Sequence, residues 1–267
     1  MIFSQKLNAA IESAESLVCV GLDPDPSLFP SSLPKSTASI ADFCEAIIES
    51  THDLVCAYKP NLAFFEQAGA AGMDALHKVL KTIPKTIPVI LDGKRGDIGN
   101  TSVAYARSLF DELGGDAVTV NPYLGYDGIA PFLEYAAKGV FVLCLTSNPG
   151  SRDFQTVPEN NPLYKRVAKR VVEWNVNHNC GLVVGATQVS AIEDLRAIAP
   201  DLPFLVPGVG AQKGDLRGAI RYGKTKDGKG LLINASRSIL YASSGTDYAK
   251  QAREATQKLR DDINKHR

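Results

Sequence analysis

Pro88-Val89-Ile90-Leu91-Asp92-Gly93-Lys94-Arg95-Gly96-Asp97-Ile98-Gly99-Asn100-Thr101 is the stretch on which the reading of the chain turns. Its first part is short, apolar and β-branched, as expected of a strand covered on both faces of a parallel sheet. Charge follows with no polar spacer, so a buried strand is predicted to end directly in a polar cluster. Asp92 and Lys94 are two residues apart, and an extended backbone points them to the same side. Gly93, Gly96 and Gly99 permit tight backbone turns. Asp97 falls beyond the strand, near the start of the next helix. A polar strand-to-helix loop with an incidental ion pair is the bland explanation. The density of charge behind a buried run favours a functional one.

Seven similar runs surround it, and the full set is Leu17–Asp23, Leu54–Lys59, Pro88–Asp92, Ala117–Asn121, Gly139–Thr146, Gly181–Gly185, Phe204–Pro207 and Leu231–Asn234. Most gaps carry a helical period. Ile40, Phe43, Cys44, Ile47 and Ile48 follow i, i+3, i+4, i+7, i+8, and Ala106, Leu109, Phe110 and Leu113 form a second stripe. Leu163, Val167, Val171 and Trp174 predict the inner face of a third helix, with Pro162 in its first turn. The basic residues Lys165, Arg166, Lys169 and Arg170 lie mostly off that stripe and read as a solvated face. About eight strands alternating with helices predict an α/β fold, a single (β/α)8 or TIM barrel spanning residues 1–267. An open doubly wound sheet is the alternative. Pro24–Lys35 reads as a long loop after the first strand, and Tyr248–Arg267 as an exposed charged helix.

The 267 residues are 45% hydrophobic and 22% charged, an ordinary globular composition. Lys+Arg and Asp+Glu are 29 each, so net charge provides no general attraction to nucleic acid or anionic membrane. An anionic ligand must be held locally. Cys19, Cys44, Cys56, Cys144 and Cys180 are odd in number, widely spaced and mostly in apolar runs. They read as reduced core thiols in a reducing compartment. No stretch approaches the length of a membrane span or a signal-peptide core. A cytoplasmic protein is expected.

Chemistry in such a barrel sits at the C-terminal ends of the strands. By position, those ends offer Asp23, Lys59 with Asn61, Asp92 with Lys94 and Asp97, Asn121, Thr146 with Ser147, Gln212, and Ser236 with Arg237. Lys59 closes its run where a snorkelling lysine would be unremarkable. On a barrel rim it can instead meet Asp92 of the adjacent strand, and alternating charges would keep both lysines cationic. Two candidate phosphate sites follow the seventh and eighth strands, Val206–Gln212 and Asn234–Ser238, where barrels commonly hold phosphate. Arg237 could add a bidentate contact. Gly218–Thr225 matches Walker A spacing, but it lacks the preceding buried strand and is read as coincidence. His52, His77, His178 and His266 are scattered, and no metal-ligand spacing is visible.

These residues resemble one family, the orotidine 5′-phosphate decarboxylases. The segment Asp92–Thr101 fits the family's D-x-K-x-x-D motif with its Ile and Thr. Gly21-Leu22-Asp23, Tyr58-Lys59-Pro60, Ser147, Pro207 to Gln212 and Arg237 extend the match from the first strand to the eighth. The loop after Asp23 and the sequence Lys-Arg-Gly-Asp are similar to the longer bacterial branch. The resemblance implies decarboxylation of orotidine 5′-phosphate to UMP and CO2, the last step of de novo UMP biosynthesis, with no cofactor and no metal. It implies Lys94 as proton donor to C6 and Asp92 beside the substrate carboxylate. Lys59 would bind ribose and complete the charge network. Asp97 and Thr101 would reach into the neighbouring subunit of a homodimer. Asp23 would bind a ribose hydroxyl, Ser147 the pyrimidine edge, and Gln212 and Arg237 the 5′-phosphate, with Ile98 and Pro207 also on the substrate. Two alternatives stay open: a metal-dependent 3-keto-gulonate 6-phosphate decarboxylase of the same superfamily, and a non-catalytic nucleotide-binding barrel.

Overall fold

The computed structural model describes residues 1–187, 189–209 and 215–267. Eight strands carry it: β1 Val18–Leu22, β2 Ala57–Pro60, β3 Ile90–Arg95, β4 Ala117–Val120, β5 Gly139–Leu145, β6 Cys180–Val184, β7 Phe204–Pro207 and β8 Leu231–Ala235. They form one parallel sheet in the order β2-β1-β8-β7-β6-β5-β4-β3. Single bridges Tyr58–Val89 and Asn61–Asp92 join its two edges, which makes the sheet a nearly closed (β/α)8 barrel rather than an open doubly wound one. Every residue of β1, β2, β4, β6 and β8 is buried, as a sheet covered inside and outside requires. Each large apolar side chain so buried contributes about 1.5–3 kcal/mol.

All eight apolar runs became strands, with ends shifted by a few residues. The largest shifts are at the second run, where Leu54 ends a short 3-10 turn, His52–Leu54, before β2 starts, and at the third, where β3 runs on past Asp92 to Arg95. The first helical stripe lies on the helix Ile40–Thr51, with all five of its residues buried. The second spans the helix Gly99–Arg107 and a π-helical turn, Ser108–Glu112. The third helix, Leu163–Trp174, keeps Val167, Val171 and Trp174 of the expected face against the core, but Leu163 is displaced from it. Its buried residues are Tyr164, Ala168 and Val171, and Pro162 stands at the N-cap. A hydroxyl-tipped aromatic can point inward with its rim wet, so Tyr164 outcompetes Leu163 for the inner face. The C-terminal helix, Tyr248–Asn264, is not exposed throughout. Ala252, Thr256 and Ile263 are buried, and Arg253 clamps Asp53 through two hydrogen bonds of 2.6 and 2.7 Å. Small residues on a strongly charged helix conceal its inner face from a reading by hydrophobic period.

The five cysteines are free and buried. Burial pushes the Cys19 and Cys180 thiols up to about 12, so they remain protonated. No helix among the described residues is long and apolar enough to cross a membrane.

The N-terminal end of the barrel is closed by packing and by one half-buried cation. Phe3, on the helix Phe3–Ala14, meets Phe141 of β5 edge-on at 5.8 Å. A Cβ on Gly139 would come within 2.5 Å of the Phe3 ring, so this approach needs glycine. Arg196, on the helix Val189–Ile198, donates to the carbonyls of Ala199, Pro200, Leu202, Gly223 and Gly230, and its guanidinium lies 3.7 Å from the centre of the Phe204 ring. Burial lowers its pKa to about 10, which leaves it cationic at neutral pH. Removing it strands several carbonyls at once. Arg196→Met should therefore lower the unfolding free energy by roughly 2–4 kcal/mol, measured by urea denaturation. A loss below about 0.5 kcal/mol, within the range of an ordinary surface change, would show that the clamp carries no weight.

Candidate active site

The site grows out of the C-terminal end of β3. Ile90 and Leu91 are fully buried, and Asp92 continues them inward at 7% exposure. Its carboxylate is shared. Oδ2 accepts from Lys59 Nζ at 2.6 Å, and Oδ1 accepts from Lys94 Nζ at 2.7 Å. The Thr119 hydroxyl, from β4, donates to the same Oδ1 at 2.8 Å and accepts the Lys94 backbone N–H at 3.0 Å. Beyond Leu91 the β3–β4 register slips, and Lys94 adopts a left-handed backbone with φ 46°. A non-glycine residue rarely sits there, and such positions concentrate at functional sites. The bulge re-aims Lys94, and Thr119 holds it in place. Gly96 completes the turn, because a Cβ there would lie 2.7 Å from the Asn121 carbonyl.

Charge decides the protonation states. Burial penalises the Asp92 carboxylate, but Lys59 and Lys94 outweigh that cost and hold its pKa well below the usual carboxylate range. Burial likewise works against the Lys59 ammonium, yet Asp92 and Asp23 push its pKa above the ordinary lysine value. The triad Lys59–Asp92–Lys94 is thus cation, anion, cation at neutral pH. Lys59 is sealed in, whereas the Lys94 side chain is 48% exposed and faces the barrel mouth.

A cavity of about 190 Å3 opens beside this triad, lined by Asp23, Lys59, Asn61, Asp92, Pro207, Gly208 and the Asn234–Ser238 segment. Of the predicted residues it therefore gathers Asp23, Lys59, Asn61, Asp92, Pro207, Ser236 and Arg237. Lys94 stands next to it through Asp92. Ser147 lies at the end of β5, packed so closely on Gly185 that a Cβ there would come 2.8 Å from the Ser147 nitrogen. Gln212 lies outside the described residues. Asp97 is not drawn into the cluster: its Oδ1 accepts the adjacent Ile98 N–H at 2.8 Å. Ile98 and Thr101 are exposed, and so are Tyr123, Leu124 and Tyr126 after β4. The loop after β1 is pinned from the far end of the chain. The Tyr241 hydroxyl donates to the Asp23 carbonyl at 3.0 Å and accepts the Asp25 N–H at 2.6 Å. A larger cleft, about 770 Å3, lies at the opposite mouth and contains none of the predicted site residues.

Comparison with known proteins bears on this geometry. The sequence model of the orotidine 5′-phosphate decarboxylase / HUMPS family matches residues 16–252, nearly the whole barrel. The chain belongs to that family. A protein named orotidine 5′-phosphate decarboxylase from Herpetosiphon aurantiacus is 51% identical over 259 residues, covering 96% of both chains. Another so named, from Roseiflexus castenholzii, is 51% identical over 267 residues, covering 99% of this chain and 98% of its own. Among solved structures, the OMP decarboxylase of Leishmania donovani superposes with a TM-score of 0.88 at 44% identity, covering 99% of this chain and 98% of that one. Family membership makes the chain a carboxy-lyase and agrees with the resemblance carried by Asp92–Thr101.

One polar residue of this decarboxylase barrel, Thr119, escaped the sequence reading as a site group, and a second, Asn234, was read with a different place. Thr119 is a hydroxyl inside the buried run Ala117–Val120, and such a polar interruption was its only signal. Asn234 fell in the stretch read as a phosphate loop, but it lies within β8 and faces the barrel interior. The shared Asp92 carboxylate generates a stability test. Its pKa is depressed on folding, so its contribution is complete above the unfolded carboxyl pKa of about 4 and fades as pH falls through the folded value. Asp92→Asn leaves two ammonium groups facing each other and should cost roughly 3–5 kcal/mol at neutral pH. The variant should also lose less stability than the native enzyme on acidification from about pH 5 to about pH 2. Equal acid dependence of the two proteins by calorimetry would contradict this electrostatic account.

Proposed function

We propose that the chain decarboxylates orotidine 5′-phosphate to UMP and CO2 without cofactor or metal, with Lys94 as the proton donor to C6. The observation that carries this reading is the cation–anion–cation triad at the barrel mouth, with Nζ–Oδ distances of 2.6 and 2.7 Å. Breaking the C6–carboxylate bond releases CO2 and leaves its electron pair on C6, where no adjacent carbonyl delocalises it fully. A fixed ammonium aimed at C6 stabilises that charge and then transfers a proton to it. Lys94 regains its proton from solvent, which its exposure permits. Two unit charges about 4 Å apart interact by about 4 kcal/mol at an effective dielectric of 20. Enzymes typically supply about 8–23 kcal/mol, so Lys94 cannot be the whole account. Binding of the remote phosphate by Arg237 and Gln212 would supply more by closing the site and excluding water. Asp92 would sit beside the substrate carboxylate, and Asp23 and Lys59 on the ribose. Ser147 would meet the pyrimidine edge, and Pro207 would flank the ligand.

The same reading makes the working unit a homodimer of single-barrel chains, residues 1–267. Asp97 and Thr101 would act in the neighbouring subunit's site, and Ile98 would contact the substrate. Two features support it: Asp97 stays outside the triad of its own chain, and apolar side chains are exposed at Ile98 beside it and at Tyr123, Leu124 and Tyr126 after β4. Such exposure calls for a partner surface. A metal-dependent lyase of the family is disfavoured by the charge of Lys59, whose ammonium occupies the β2 end and would repel a cation.

Loss of pyrimidine absorbance on adding orotidine 5′-phosphate in EDTA tests the activity. Lys94→Ala should lose turnover by at least roughly 10²–10⁴-fold while still binding UMP, and near-normal turnover would remove Lys94 from its role. Mixing inactive Lys94→Ala and Asp97→Ala chains should restore part of the activity in heterodimers. Absence of rescue after proven subunit exchange would rule out a shared site.

A further inference from the structure

Asn234 is an anomaly in its strand. Asparagine is depleted in strands, and its neighbours Leu231, Leu232 and Ile233 are completely buried. Asn234 itself is 7% exposed, and its Oδ1 is buried with no hydrogen-bond donor among the described residues. It lines the cavity that holds Lys59 and Asp92. Asp23 Oδ1, on the same cavity wall, is buried and without a donor in the same way.

The wall is built for these oxygens. Gly21 of β1 has no side chain, and a Cβ there would lie 2.0 Å from Ser236 Oγ and 3.2 Å from Asn234 Oδ1. The space a β1 side chain would take is therefore filled by polar atoms of the β8 end. Two buried acceptors without donors stand beside an ammonium, Lys59, whose single hydrogen bond among the described residues goes to Asp92. A hydroxyl is the group that satisfies both kinds of neighbour, because it accepts from an ammonium while donating to a carboxamide or carboxylate. An imide N–H donates without accepting, and a phosphate or carboxylate only accepts.

On the nucleotide of the proposed function, on which this inference rests, the hydroxyls are those of the sugar. We infer that Asn234 is a substrate-positioning residue whose carboxamide oxygen accepts a hydrogen bond from a ribose hydroxyl, sharing the sugar with Asp23. It would then help to distinguish ribonucleotide from deoxyribonucleotide, since a site with a buried acceptor rejects an analogue that leaves it unpaired.

The test compares binding of UMP with that of 2′-deoxy-UMP and 3′-deoxy-UMP by calorimetry, for the native enzyme and Asn234→Ala. One of the two affinity ratios should contract about tenfold in the variant, the loss expected of one hydrogen bond. A merely structural role would weaken all three ligands together and leave both ratios unchanged, and that result overturns the inference. Asn234→Ser serves if the alanine variant does not fold, because its shorter side chain withdraws the acceptor; ratios unchanged in it overturn the inference equally. Turnover of orotidine 5′-phosphate by the native enzyme separates the two levels. If the native enzyme neither turns it over nor binds UMP, the proposed function fails. If it does both while the ratios hold, the role of Asn234 alone fails.

Discussion

One carboxylate holds two ammonium groups at the mouth of this barrel. Asp92 meets Lys59 on one side and Lys94 on the other, and Thr119 fixes the oxygen that Lys94 uses. A buried charge is costly unless it is paired and fully hydrogen-bonded. Here each charge justifies the next. Lys59 can be sealed in because Asp92 neutralises it, and Asp92 can be buried because two cations surround it. The outermost member, Lys94, therefore reaches the cavity edge cationic and in a defined place. The barrel exists at this point to bring β2, β3 and β4 close enough for that chain of contacts.

Much of this was legible in residues alone, for a physical reason. Parallel strands covered on both faces are continuous apolar runs, and each run here ends where polar groups begin. Lys59 and Asp92 could thus be assigned to neighbouring strand ends, and the Asn61–Asp92 bridge places those ends side by side. The two-residue spacing of Asp92 and Lys94 reads as one side of an extended chain. They do share a side, but through a bulge and a left-handed residue that no period encodes.

What stayed hidden has equally specific causes. Thr119 sits inside an apolar run, where one polar residue looks like an exception to be tolerated, and Asn234 closes another, where it reads as the start of a loop. Their meaning depends on which strand lies next to them, and that is a property of the closed barrel. The inner faces of Leu163–Trp174 and Tyr248–Asn264 were obscured because tyrosine, alanine and threonine carry part of the burial there. Hydrophobic period registers large aliphatic side chains best and small or amphipathic ones poorly.

The Tyr241 phenol ties the loop after β1 to a segment read more than two hundred residues later. A ribosome delivers these partners in that order. Lys59 can meet Asp92 soon after β3 emerges, but the backbone around Asp23 has no anchor until the final helices follow. The cavity wall built from β1 and β8 is consequently assembled later in synthesis than the Lys59–Asp92 pair, and it stays open until β8 and Tyr241 have emerged.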